Sequence, residues 1–366
     1  MSKKILYIVP HRFNRSPGQR FRCEHFIPHL QKSGFSITYS PLLSEWDDVF
    51  FYKKGAYLCK LLIFLKALFR RIRDIIRAPQ YDIIFIYREA FMVGTTFFER
   101  IFSTYKCSII YDFDDSIWLQ DTSEGNENLS WLKKPSKINT ILRMANLVIV
   151  GNEYLATYAR QFSQNVEIIP TTIDTNYHVP AKRKNIDKSP IVIGWTGTDT
   201  THRHFSIIEP ILQKLHKKYK TDIEFHLISN IPYNSTQIPI IWKKWSIDTE
   251  IENLQEFDIG IMPLPNDNWS QGKCGFKGLQ YMSLEIPTIM SPVGINTTII
   301  NHGTNGFLAR TEEEWFLILE KLIQDTKLRT SIGKESRRTI ISNYSVDAHK
   351  ERYRELFTKN SLHSRY

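Results

Sequence analysis

Short, mainly apolar runs recur along this chain at Ile5–Val9, Ile83–Ile86, Ser108–Tyr111, Leu147–Val150, Val166–Ile169, Ile191–Trp195, Glu224–Ile228, Ile259–Met262 and Thr288–Ser291. Runs of this length without strict alternation suit parallel strands covered on both faces. Phe35–Tyr39 alternates apolar and polar residues, as a strand with one wet face would. Helical spacing fills the intervals. After a Pro-Gly-containing loop, HRFNRSPGQRFR, it puts Phe26, Ile27 and Leu30 on one buried side. It continues over Tyr57–Ile76, Ile207–Tyr219, Phe276–Glu285 (stopped by Pro287) and Val346–Phe357. Strands alternating with helices predict an α/β protein with parallel sheets.

The polar stretch AKRKNIDKS between Pro180 and Pro190 interrupts this pattern, which restarts at Ile191. Two Rossmann-like domains are therefore expected, 1–182 and 183–344, in keeping with a chain of 366 residues. Ligands of such sheets sit at the carboxyl ends of the strands. No apolar run reaches the ~18 residues of a membrane span. The start, MSKKILYIVPHRF, reads as a first strand and not a signal peptide. Cys23, Cys59, Cys107 and Cys274 are scattered without metal-ligand spacing, which points to reduced cytosolic thiols and away from a zinc site. The sequons at Asn234 and Asn296 then carry no glycosylation meaning.

Net charge is +10, and its placement matters more than its size. Between Lys53 and Arg77 eight basic residues face one acid, Asp74. The same window carries Tyr57, Leu58, Leu61, Leu62, Phe64, Leu65, Leu68, Phe69, Ile72, Ile75 and Ile76 along one side of a helix. Two readings fit: a helix lying on an anionic membrane surface, or a core-packed helix with a basic outer face. A nucleic-acid binder is disfavoured, because the excess charge sits on one helix and no RNA- or DNA-binding module is visible.

The most informative stretch runs from Phe257 to Gly294: FDIGIMPLPNDNWSQGKCGFKGLQYMSLEIPTIMSPVG. It reads as strand, polar loop, glycine-marked turn with Lys273 and Lys277, helix and strand. Such a unit aims backbone N–H groups and two ammonium groups at whatever lies over the helix start, and an anion suits that place. On the helix, Lys277, Gln280 and Tyr281 fall at i, i+3 and i+4, on one face. An ordinary βαβ crossover with solvated lysines fits the spacing equally well.

With these elements placed, the chain resembles glycosyltransferase family 4 and its relatives, the retaining nucleotide-sugar transferases of the GT-B fold. The resemblance rests on IVIGWTGTDTTHRH, FDIGIMPLP, GKCGFKGLQYMSLEIPTIMSPVG, NGFLARTEEEW and VEIIPTTID. It implies two Rossmann-like domains facing each other across a cleft, with residues 345–366 crossing back to the first. It also implies transfer of a hexose-type sugar from a nucleoside diphosphate sugar to a glycan or lipid-linked acceptor in surface polysaccharide assembly. No cofactor and no catalytic metal are implied, and the cytoplasmic side of the membrane is the implied place of work. A GT-B-fold epimerase or hydrolase and a non-catalytic sugar-nucleotide-binding subunit are the alternatives.

Departure of a nucleoside diphosphate needs preorganised positive charge at the leaving group. The family's Arg and Lys after the glycine turn, at Gly197, match Thr198 and Arg203 here. Arg203 can fork onto phosphate. Thr198 brings no charge, so Lys277 is expected to compensate and Lys273 to assist. The family's ribose-binding glutamate matches Gln280, which still hydrogen-bonds a hydroxyl. Its sugar-side glutamate falls on Gly272, so no carboxylate matches there. The backbone of Cys274, Gly275 and Phe276 corresponds to the stretch that holds sugar hydroxyls, and Cys274 reads as a small packed residue.

In the first half, Gly18 lies in the loop that closes on the diphosphate in relatives, with Arg20 and Arg22 beside it; a plain loop with surface arginines fits as well. Asp112, Asp114 and Asp115 follow a strand. They are expected to bind acceptor hydroxyls or act as acid/base groups, or else to cap the segment at Ser116–Leu119.

Overall fold

The computed structural model describes residues 2–119, 124–181 and 190–363. The expected break between Pro180 and Pro190 falls mostly on 182–189, outside the described residues. The chain separates into two compact units, Met1–Thr171 with His349–Tyr366, and Thr172–Ala348.

The first unit holds a six-stranded parallel sheet. Its strands are β1 (Lys3–Val9), β2 (Phe35–Pro41), β3 (Ile83–Tyr87), β4 (Ser108–Phe113), β5 (Leu147–Val150) and β6 (Val166–Ile168), in spatial order β2-β1-β3-β4-β5-β6. Every residue of β3, β4 and β5 is buried. That is why each reads as a continuous apolar run. The order reverses between β1 and β3, so that is where a doubly wound sheet opens a site. The C-terminal helix Val346–His363 contributes Tyr353 and Phe357 to this core. Tyr353 stacks on Phe26 at 4.1 Å, and Phe357 lies 5.9 Å from Phe85. Aromatic pairs of this kind add about 0.5–1.5 kcal/mol beyond the area they bury.

The second unit repeats the plan with β7 (Ile191–Thr196), β8 (Ile223–Ser229), β9 (Ile241–Lys244), β10 (Ile259–Met262), β11 (Thr288–Met290) and β12 (Phe307–Leu308). The order is β12-β11-β10-β7-β8-β9, all neighbours parallel, and it reverses between β7 and β10. This is the Rossmann arrangement.

Three details differ from the sequence reading. The segment Pro17–Arg22 is a short helix with proline in its first turn, so Gly18 is helical and not part of a loop. The expected helix Ile207–Tyr219 starts at Glu209, with Pro210 in its first turn, and a separate short helix, His202–Ser206, precedes it. The helix Tyr57–Arg77 is present, but its leucine stripe does not enter the core. Its buried positions are Ile63, Ala67, Arg71 and Asp74.

Candidate functional site

In the second unit, β7 ends at Thr196, beside the start of helix Phe276–Ser283 in the loop after β10. The Tyr281 hydroxyl, fully buried, accepts the backbone N–H of Thr196 at 2.8 Å and ties that helix to the strand end. Gly197 follows. A Cβ there would lie 2.2 Å from the ring of Trp195 and 2.6 Å from Thr201 Oγ1, so only glycine lets the backbone turn over the indole. Thr201 braces the turn: its Oγ1 accepts from the Thr198 N–H at 3.0 Å. Gly197→Ala should therefore push the turn outward. The expected cost is about 1–3 kcal/mol in chemical unfolding, as for other overpacked sites, and the variant should lose any stabilisation by an anionic ligand.

Lys277 stands on the first turn of its helix. Its Nζ sits 4.5 Å above the Trp195 ring centre and 3.3 Å from Thr201 Oγ1. Lys273 lies 5.3 Å over the ring of Trp269. Gly275 takes a left-handed φ of 70°, and its missing Cβ makes room for Ile299. It caps the helix and brings the backbone of Cys274, Gly275 and Phe276 to the helix's positive end. Cys274 itself is buried.

Arg203, exposed on the helix His202–Ser206, adds a third cation. Its neighbour His204 is 2% exposed, and its Nδ1 has no hydrogen-bond partner. Burial pushes this imidazole down to about 3, with Lys277, Lys273 and Arg203 each adding to the effect and Asp267 opposing it. The charges of Lys277, Lys273 and Arg203 thus all act on this buried ring, which follows β7, the strand where the order reverses. Asp267 caps the short helix Asn268–Gln271 by accepting from the Ser270 N–H at 2.7 Å. It puts a carboxylate five residues before Gly272, where none was expected.

Gln280 points elsewhere in the same unit. It is 2% exposed and donates to Glu250 Oε1 at 3.2 Å, with His178 Nε2 at 3.4 Å. Glu250 also accepts from Trp245 Nε1 at 3.2 Å. Thr198 is exposed beside Thr200, with the two hydroxyls 2.9 Å apart. The structure therefore gathers Gly197, Thr198, Arg203, Lys273 and Lys277 around the β7 end. Gln280 lies behind them among buried polar groups. His204, Asp267 and Glu250 were missed from sequence; only the histidine's place beside Arg203 hinted at it.

In the first unit, the carboxyl ends of β1, β3 and β4 carry a second polar cluster. Asp112 lies within β4 and is fully buried against Arg22, also fully buried; two hydrogen bonds of 3.1 and 2.8 Å join them. Arg22 also donates to the Ile169 carbonyl. Burial pushes the Asp112 carboxyl up to about 6, with the Arg22 guanidinium pulling it back. This corrects two expectations. Arg20 and Arg22 are buried, not surface arginines, and Asp112 faces an arginine instead of an open strand end.

Asp114 accepts from the Tyr87 hydroxyl at 2.8 Å and from Arg88 at 2.9 and 2.6 Å. The same guanidinium reaches Asp115 at 2.5 Å. Arg88 holds a left-handed φ of 60° to do so. A Cβ on Gly18 would lie 2.7 Å from the Tyr87 hydroxyl and 2.9 Å from Asp114 Oδ2, so this glycine lets the helix Pro17–Arg22 close on the aspartate. After β1, His11 lies 3.8 Å from Asp48 and 3.3 Å from the Tyr52 hydroxyl, a grouping that the sequence did not reveal.

No protein-family model matches the chain. One curated relative, Glycosyltransferase 1 domain-containing protein 1 of Xenopus tropicalis, is 28% identical over 78 residues, which is 21% of this chain and 23% of that relative's length. Solved structures match over nearly the whole length. HepE of Anabaena, in complex with UDP and glucose, gives a TM-score of 0.67 at 14% identity, covering 98% of this chain and 100% of that one. A glycosyltransferase from Rickettsia africae ESF-5 gives 0.68 at 13% identity, covering 98% of each. Sucrose-phosphate synthase from Thermosynechococcus elongatus gives 0.66 at 11%, again covering 98% of each. At such identities the likeness is one of fold, and the fold is GT-B.

Proposed function

We propose that this protein is a retaining glycosyltransferase that moves a hexose-type sugar from a nucleoside diphosphate sugar to a glycan or lipid-linked acceptor, at the cytoplasmic face of the membrane during surface polysaccharide assembly. The observation that carries this reading is Lys277 on the opening turn of its helix beside the β7 end, its Nζ 4.5 Å over the Trp195 ring and 3.3 Å from Thr201 Oγ1, with Lys273 and Arg203 on the neighbouring segments. Two negative phosphates leaving an anomeric carbon need that arrangement, and charges held in place before the reaction cost no reorganisation when it occurs. Anabaena HepE, of the same fold, was solved with UDP and glucose.

In this scheme Arg203 and Lys277 neutralise the diphosphate and Lys273 assists, with protein cations and not a metal carrying the charge. Thr198 and the backbone at Gly197 line the phosphate side. Gln280, oriented by Glu250, holds the ribose, and the Cys274–Phe276 backbone holds the sugar. Gly18 keeps the donor-binding role that the resemblance implies, and Asp112 and Asp114 serve the acceptor, with Asp112 acting through Arg22 as a positioning residue. An epimerase would need mobile acid/base carboxylates. The sealing of Asp112 and the engagement of Asp114 and Asp115 by Arg88 weigh against it.

The test is a thermal-shift panel of nucleoside diphosphate sugars, followed by product analysis with glycan acceptors. One donor at about 100 times its Kd should stabilise the fold by about 2.7 kcal/mol, a rise of a few degrees. Transfer should keep the anomeric configuration. No shift with any nucleotide sugar at millimolar concentration would overturn the donor site. A shift without transfer to any acceptor would make the protein a sugar-nucleotide-binding subunit.

A further inference from the structure

The helix Tyr57–Arg77 turns charge inward and leucine outward. Arg71 and Asp74 are buried and paired at 2.8 Å, and Arg71 also donates to the carbonyls of Ala90 at 2.6 Å and Val9 at 3.0 Å. Ile63 and Ala67 complete that inner face. On the opposite side Leu58, Leu62, Leu65, Phe69, Ile72 and Ile76 follow one another at alternating steps of four and three, each between 40% and 80% exposed. They form a straight stripe of about 27 Å at 1.5 Å per residue. Beside it, the helix Glu45–Phe51 exposes Trp46 and Val49, with Lys66 Nζ 4.0 Å over the Trp46 ring.

An apolar surface of this extent marks an interaction site. The flanking charge selects the partner. Lys66, Arg70, Arg73 and Arg77 run along one flank of the stripe and Lys53 and Lys54 precede the helix, whereas Lys60 lies on the Ala67–Arg71 side and donates to Asn126 Oδ1 at 2.8 Å. The window's one acid, Asp74, is buried, 3.6 Å from Arg73. Asp47 engages Arg70 at 2.8 Å and Lys66 at 3.6 Å, which still leaves the border strongly basic. The four-three spacing would also suit a second helix. A self-pairing coiled coil, however, takes opposite charges on its flanks, and two copies of this face would oppose like charges. An anionic bilayer satisfies both features, receiving the stripe at the acyl boundary while phosphates meet the cations. Among the described residues no helix is long and apolar enough to cross a membrane.

We propose that the Tyr57–Arg77 helix, with Trp46 and Val49, is a docking face for an anionic lipid bilayer on which the helix lies flat. The proposal is read out by vesicle binding, so it stands or falls separately from the transferase reading. Flotation of the full chain with phosphatidylcholine vesicles, with and without about 30% phosphatidylserine, tests it. The wild type should partition at least about tenfold better onto the anionic vesicles, and less so as salt rises from about 0.1 to about 0.5 M. Leu65→Glu/Phe69→Glu should abolish binding. Lys54→Glu/Arg77→Glu should lower it about tenfold on anionic vesicles alone. All four positions face outward, so both variants should melt like the wild type. If the leucine variant fails to fold, the charge variant decides. Equal or absent binding to both vesicle types, or unchanged binding by the charge variant, would overturn the proposal. So would wild-type dimers in sedimentation equilibrium that Leu65→Glu/Phe69→Glu converts to monomers, because the face would then serve a second copy.

Discussion

Lys277→Ala is expected to lower turnover by at least about tenfold and as much as about a thousandfold, the range seen when a preorganised leaving-group donor is removed. Three features place this residue first. It sits on the opening turn of a helix, where the dipole adds to its charge. Its ammonium is steered by the Trp195 ring and by Thr201 Oγ1, and it shares the neighbourhood of His204 with two other cations. Arg203→Ala should show a loss of the same order, smaller if its exposed side chain reorients. Since Lys277 is half-buried and its hydrogen bond to Thr201 Oγ1 is long, at 3.3 Å, the melting temperature should change little. Steady-state kinetics at saturating donor, beside a thermal melt, separate chemistry from folding. Wild-type turnover in Lys277→Ala and Arg203→Ala would sink the diphosphate assignment.

Asp112→Ala should destabilise the first unit by about 3–5 kcal/mol in urea unfolding, because it strands a buried guanidinium. Both side chains are fully buried, and Arg22 has a further fixed partner in the Ile169 carbonyl. The double change Arg22→Met/Asp112→Leu should recover most of the loss, since buried ion pairs gain little over well-packed apolar groups. The pH dependence follows from the same pair. The Asp112 carboxyl titrates at about 6 when folded and near 3.8 otherwise. Between these values the folded state binds more protons, so stability falls as pH rises through the window, by up to about 3 kcal/mol. That slope should be missing from the double variant. A cost below about 1 kcal/mol for Asp112→Ala with complete loss of transfer would instead make Asp112 a chemical group.

The strands most legible from sequence are those covered on both faces, such as Ile83–Tyr87 and Leu147–Val150. There burial demands an apolar residue at every position. The strand Ile241–Lys244 escaped notice because it is a sheet edge whose residues are half-buried or exposed, leaving no apolar run. Phe307–Leu308 is too short to carry a period. Pro17-Gly18 read as a turn because both residues favour turns, yet proline is equally at home in a helix's first turn.

For the candidate site, local signals sufficed for the segment around Lys273 and Lys277, where strand, glycine turn and helix follow one another within forty residues. They did not suffice for His204, Asp267 and Glu250. These residues come from separate loops and helices, and nothing along the chain says that His204 lies near Lys273 and Lys277, that Asp267 lies near His204, or that Glu250 accepts from Gln280.

By itself, then, the order of residues determined the two parallel sheets and the amphipathic period of Tyr57–Arg77, because burial on a strand or helix imposes a repeat that can be counted. Only the tertiary structure decided which side of that helix faces inward and which charges are paired. Arg71 and Asp74 are buried, Asp112 is locked to Arg22, and Lys277 stands over the Trp195 ring. The physical reason is that a charge's worth depends on its partners and its distance from water. Both are set by residues far away in the chain.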